Sequence, residues 1–136
     1  MGKLLNTKFE MPVGYIEEYV SLGQFTDGGS TSGTYQMQET IPVGAHVLAT
    51  LVTGVTGFAG DTTATLVVGD GSDVDRYNTG TPSVVSNVAM VAMGAVSGTA
   101  VHTAAIRPTL TVTGGSDFGK ITAGALAIRI VYLKGM

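Results

Sequence analysis

Cysteine and tryptophan are absent from the 136 residues, and histidine occurs twice. Without cysteine there is no disulfide framework, no thiolate nucleophile and no zinc–thiolate site. Charge is scarce as well. Asp, Glu, Lys and Arg make up 12% of the chain, about half the share usual in a soluble domain. Lys and Arg number 7 against 10 Asp and Glu, a formal net charge of −3, so the basic surface that duplex nucleic acid requires is missing. Met1–Thr7 has no apolar h-region of the kind a signal peptide carries, and Asn6 stands where the myristoylation pattern requires Ser or Thr. No charged residue lies between Arg76 and Arg107, yet Ser86, Asn87, Ser97, His102 and Thr103 interrupt this stretch. A membrane helix would need partners for those polar groups, so no membrane span is expected.

What the chain does have is 20 glycines and 44% hydrophobic residues, with threonine and valine nearly as frequent as glycine. Glycine breaks helices, while Thr and Val are stiff at χ1 and suit pleated strands. This excludes a helical bundle, and the hydrophobic content excludes disorder. The length fits one domain.

Alternation of period two marks the strands. Tyr15 to Phe25 puts Ile16, Val20 and Leu22 on one face. Thr26 to Gly33 reads as an exposed loop, Thr34 to Thr40 as a strand, and Ile41-Pro42-Val43-Gly44 as a turn. Ala45 to Thr53 is apolar with weak alternation, which predicts burial on both faces. Gly54 to Gly60 reads as a glycine-rich turn region. Thr62 to Val68 turns Ala64, Leu66 and Val68 inward. Arg107 to Thr113 does the same with Leu110 and Val112, and Ile121 to Leu133 with Leu126, Ile128, Ile130 and Tyr132. Val84 to Ile106 fits either short strands or a helix, with Gly94 and Gly98 favouring strand and irregular structure. Thr65–Asp73 and Thr109–Asp117 echo one another, each a strand running into a Gly-Ser-Asp turn. The expected fold is all-β, an antiparallel β-sandwich of the jelly-roll or immunoglobulin-like kind over residues 15–136, preceded by an extended arm, residues 1–14.

Candidates for chemistry are few. Asp70, Asp73 and Asp75 could wrap a hard cation such as Ca²⁺, but they match no EF-hand spacing and lack the distal Glu. The alternative is a solvated turn in which Arg76 pairs with one aspartate. His46 and His102 have no Gly-x-Ser-x-Gly elbow to serve. Glu17 and Glu18 point to opposite faces of a strand, the wrong geometry for a carboxylate pair. Gly54 to Gly60 lacks the Lys and helix of a P-loop. Tyr15, Tyr19 and Tyr35 could form a sugar platform or serve as core and interface. No enzyme, cofactor or catalytic residue is expected. A strand-built surface this poor in charge has few edge guards, which points to self-association.

Three segments carry a family resemblance: Ile41–Ala45, the run from Gly60 to Asp70 continued by Asp75-Arg76-Tyr77-Asn78-Thr79-Gly80-Thr81, and the closing Ala123–Leu133. Together they resemble small structural proteins of tailed bacteriophages. The resemblance implies a virion component, a decoration or cement protein on the outer capsid surface, made in the host cytoplasm. It also implies homotrimers contacting the major capsid protein, and Asp75-Arg76-Tyr77 as a structural loop. In the arm, Lys3, Leu4, Leu5, Phe9, Met11 and Val13 are the expected inter-subunit or capsid contacts. The alternative is a carbohydrate- or receptor-binding module of a phage tail or fibre.

Overall fold

The computed structural model describes residues 12–85, 90–91 and 101–135. Eight strands follow in order: β1 (Val13–Ser21), β2 (Thr26–Asp27), β3 (Ser32–Gln36), β4 (His46–Ala59), β5 (Ala64–Gly69), β6 (Met90–Val91), β7 (Thr109–Gly114) and β8 (Ala123–Leu133). They form two antiparallel four-stranded sheets, β1-β8-β4-β6 and β2-β3-β7-β5. The fold is the expected β-sandwich. Among the described strands, every consecutive pair except the β2–β3 hairpin lies in opposite sheets. Among the described residues no helix is long and apolar enough to cross a membrane.

The alternating segments do what their period dictates. Leu66, Val68, Leu110, Val112, Leu126, Ile128 and Ile130 are buried between the sheets, with Ile16 and Val20 from β1. The two echoing segments contribute β5 and β7, which pair with each other from Ala64↔Gly114 to Gly69↔Thr109. At one end of the core the rings of Tyr35, Phe58 and Phe118 lie about Phe25, with centroids 6.0, 6.1 and 6.2 Å away. At Ile41–Gly44 the expected turn forms. The Ala45 amide donates to the Pro42 carbonyl at 3.2 Å, and Gly44 takes φ +83°, a left-handed value that glycine adopts without steric cost.

The structure corrects four expectations. β1 begins at Val13, so Val13 and Gly14 belong to the sandwich rather than to the arm. Thr26 to Gly33 is not wholly a loop, because Thr26 and Asp27 pair with Thr34 and Gly33. Gly54 to Gly60 is not a turn region. β4 runs on to Ala59, with breaks in register beside Leu48, beside Val55 and between Thr56 and Ala59. Glycine in a strand signals a bulge as readily as a turn, and here the bulges bend β4 without ending it. Nor is β4 buried on both faces: Leu48, Leu51 and Val55 are exposed. Of the ambiguous stretch Val84 to Ile106, Met90 and Val91 pair with Thr53 and Val52, and Ile106 bridges Ile41.

Asp61 ties the β4–β5 connection to the β7–β8 connection. Its carboxylate accepts from the amides of Thr62 (2.6 Å), Ser116 (3.0 Å) and Asp117 (3.4 Å). The Ser116 amide first, then that of Thr62, holds the carboxyl well below the usual range. A depressed native pKa stabilises the fold fully above the unfolded value, about 4, and that contribution is lost as pH falls through the native one. The Asp61→Asn variant should therefore lose less stability than the wild type between about pH 5 and pH 2. Urea midpoints measured across this range test it, and parallel acid limbs would refute it.

Candidate functional site

The two outer faces of the sandwich differ in chemistry. On the β2-β3-β7-β5 sheet, the rows Ser32/Thr113/Thr65 and Thr34/Thr111/Val67 present mostly hydroxyl groups. On the β1-β8-β4 face, the antiparallel register aligns Val13/Leu133/His46, Tyr15/Val131/Ala49, Glu17/Arg129/Leu51 and Tyr19/Ala127/Thr53. Tyr15 and Tyr19 are 58% and 60% exposed, and Leu48, Leu51 and Val55 also face solvent. Polar contact on this face centres on one ion pair, Glu17–Arg129 at 2.5 Å. The Arg129 guanidinium also lies over the Tyr15 ring, 4.7 Å from its centroid. Both charged side chains are half exposed, so the pair contributes at most about 1 kcal/mol and leaves the face predominantly apolar. Between the rows lies a depression of ≈ 180 Å³ lined by Glu17, Leu51, Thr53, Ala127, Ile128 and Arg129. Exposed apolar side chains in adjacent rows are the physical ingredient of association surfaces.

The free edge of β1 is partly blocked. The Glu17 amide donates to the Glu39 carboxylate (2.9 Å), and the Ser21 amide to Gln24 Oε1 (2.8 Å). The Glu18 carboxylate accepts from the Glu39 amide (2.8 Å) and from the Tyr35 hydroxyl (2.6 Å). Burial, reinforced by that neighbouring carboxylate, raises the Tyr35 pKa. Side chains placed on backbone donors in this way guard an edge against strand addition.

The acidic run folds as a tight loop. Asp70 accepts from the amides of Ser72 (2.9 Å) and Asp73 (2.7 Å) and from Arg76 Nη1 (3.0 Å). Burial opposes ionisation of Asp70, but these donors outweigh it and lower its pKa. Asp75 moves the other way, raised by its contact with the Asp73 carboxyl. Among the described residues no three His, Cys, Asp or Glu side chains gather as a metal-binding group. Arg76 also lies 5.6 Å from the centroid of Tyr77.

Tyr77 anchors this loop in the core. Its hydroxyl lies 2.7 Å from His102 Nε2, the two rings stack at 16°, and His102 Nδ1 lies 2.8 Å from the Ala45 carbonyl. A carbonyl can only accept, so Nδ1 carries the proton and Tyr77 donates to Nε2. Burial pushes the Tyr77 phenol up to about 12, so it remains a donor. Thr50 Oγ1 donates to the Tyr77 carbonyl (2.8 Å), and Asn78 Oδ1 accepts from the Val68 amide (2.7 Å). The ring nitrogens of His102 thus face a phenol and a backbone carbonyl, not a serine or a carboxylate.

The structure separates the tyrosines singled out from sequence. Tyr15 and Tyr19 share the apolar face, whereas Tyr35 is buried, so the three form no platform. Of the expected contact residues, Val13 lies in the first row of that face, and Lys3, Leu4, Leu5, Phe9 and Met11 lie outside the described residues. Sequence reasoning missed Leu48, Leu51 and Val131 as surface residues. The parity of Arg129, which shares a strand face with Val131, was the available signal.

No family model and no curated protein matches the sequence. Chains of two phage capsids are among the solved structures it matches. A chain of the cyanophage Pam1 capsid asymmetric unit is 20% identical, with 93% of this chain and 87% of that one covered and a TM-score of 0.55. A chain of the acid-stable capsid of Helicobacter pylori bacteriophage KHP30 is 12% identical, with 87% and 93% covered and a TM-score of 0.47. The first superposes closely enough to define a shared fold.

Proposed function

We propose that this chain is a virion structural protein, a decoration or cement protein on the outer surface of a tailed-phage head. The observation that carries this reading is the fold shared, over 93% of the chain, with a chain of a phage capsid asymmetric unit. The exposed apolar face supplies a physical means of assembly. The strand order supports a jelly roll: consecutive described strands lie in opposite sheets in all but one case, and the first and last strands lie side by side.

In this reading the sandwich spans the chain from Val13 onward and the preceding residues form an extended arm. The protein assembles with copies of itself, as a trimer, and with the major capsid protein. Each copy supplies modest contacts, and closed symmetry multiplies them. Lys3, Leu4, Leu5, Phe9, Met11 and Val13 make inter-subunit or shell contacts. The Asp75-Arg76-Tyr77 segment is structural, pinned by Asp70 and His102. No catalytic residue or cofactor takes part.

The test is co-sedimentation with shells of the encoding phage that lack this protein. The full chain should saturate the shells, and deletion of residues 1–11 should weaken its affinity for them at least about tenfold, a loss of about 1.4 kcal/mol. Failure of the full chain to bind would end the reading, and unchanged affinity of the truncated chain would remove the arm from it.

A further inference from the structure

At the end of the sandwich where β5 and β8 finish and β4 begins, two exposed features of opposite character stand. The first is a knob. Between Asp70 and Tyr77 the chain turns so that Val74 is 59% exposed, with Asp73 before it and Asp75 after it. The knob is held in place. The Asp70 amide donates to the Asp73 carbonyl (3.1 Å), and the Asn78 amide to the Asp75 carbonyl (3.0 Å). The backbone at Asp73 also lies close over Gly69, where an added Cβ would come within 2.0 Å of the Asp73 carbonyl oxygen.

The second is a recess of ≈ 400 Å³ lined by Pro12, Gly44, His46, Val101, Leu133 and Lys134. Val101 is 54% exposed, and Leu133 also faces solvent. Apolar cavities of about 150 Å³ take up benzene, so the recess has room for a valine side chain and its flanking backbone. Charge completes the match. Asp73 and Lys134 take no part in the ion pairs of the described residues. On the knob, Asp70 pairs with Arg76, while the Asp73 and Asp75 carboxyls crowd one another. Among the described residues the lining of the recess has one cation, Lys134, and no carboxylate.

Knob and recess do not meet within one chain, since Val74 and Val101 are each more than half exposed. They are nevertheless fixed relative to one another. The Tyr77 hydroxyl, three residues past the knob, lies 2.7 Å from His102 Nε2, and the carbonyl of His102, next to Val101, accepts from the Gly44 amide at 2.7 Å. The buried Tyr77–His102 pair thus couples the two features through the core.

We propose that the Asp73-Val74 tip of one copy seats in the recess of a second copy, with Val74 against Val101 and Leu133 and the Asp73 carboxylate on the Lys134 ammonium. This rests on the assembly reading above and names its contact. The valine supplies burial, and the ion pair supplies orientation. Knob and recess are different patches, so the contact is heterologous, the kind from which a closed ring such as a trimer is built.

The absence of cysteine makes the contact traceable. Oxidising an equimolar mixture of Val74→Cys and affinity-tagged Val101→Cys should yield a two-chain product of mixed composition on non-reducing electrophoresis. Reductant should reverse it, and neither variant alone should give two-chain product to the same extent. In light scattering, Asp73→Lys and Lys134→Asp should each self-associate at least about tenfold more weakly than the wild type, because each sets like charges face to face. The Asp73→Lys/Lys134→Asp double variant should recover most of that loss. All four side chains are exposed, so the variants keep the fold. A wild type with the mass of one chain at every concentration, an absence of mixed product, or a double variant as weak as the single ones would each overturn the proposal. If it is overturned while shells still take up the wild-type chain, knob docking falls and the decoration reading stands. If mixed product and recovery both appear while shells take up nothing, the reverse holds.

Discussion

Replacing Phe58 by alanine is expected to cost about 3–5 kcal/mol, the usual range for deleting a buried aromatic ring. Phe58 is 1% exposed and meets Phe25 edge-on at 6.1 Å. The cost should fall in the upper part of that range, because the ring lies against Gly124, where an added Cβ would come within 2.5 Å of it. Glycine has no side chain with which to fill the space left behind, and the cost of such deletions grows with the cavity that remains. Urea unfolding checks this. The midpoint should drop with the slope unchanged, since the surface exposed on unfolding barely alters. A loss below about 1.5 kcal/mol would show that the aromatic group around Phe25 collapses into the gap, against the argument from Gly124.

Gly60→Ala should be comparably damaging by a different route. Gly60 ends β4 at φ +116°, a left-handed value that side chains resist. A Cβ there would stand 2.1 Å from the Lys120 carbonyl oxygen and 2.9 Å from the Thr122 amide nitrogen. Both neighbours are backbone atoms, and the Thr122 amide is itself held by the Ala59 carbonyl at 2.8 Å. Strain contributes about 1–3 kcal/mol and the forced backbone shift about 1–3 kcal/mol more. Gly23→Ala is the control. Nothing lies within 4 Å of its added Cβ, and its effect should stay within about 0.5 kcal/mol. Equal urea midpoints for the two variants would show that the junction between β4 and β8 yields easily.

These two sites show where local sequence is a sufficient guide and where it is not. Leu110 and Val112, or Leu126, Ile128 and Ile130, were legible because a period of two is a property of one strand alone. That Arg76 pairs with one aspartate of its run was legible for a similar reason: a glycine turn keeps them in reach. Gly60 was visible as a glycine but not as the end of a strand that had already passed Gly54 and Gly57. A bulge needs a partner strand to be defined, and β8 lies more than sixty residues further along. The stacking of Tyr77 on His102 joins residues 25 apart, and it was invisible until the crossovers brought them together.

The candidate site divides along the same line. A charge-poor, strand-forming chain follows from composition, and with it the scarcity of ionised groups to guard its surface. Which surface stays open does not. Leu48 and Leu51 are as apolar as the residues of the core, and hydrophobicity alone placed them inside. Only the assembled sandwich decides that one side of β4 meets the opposite sheet while the other meets none. Burial is a relation between strands distant in sequence, whereas alternation is a relation between neighbours.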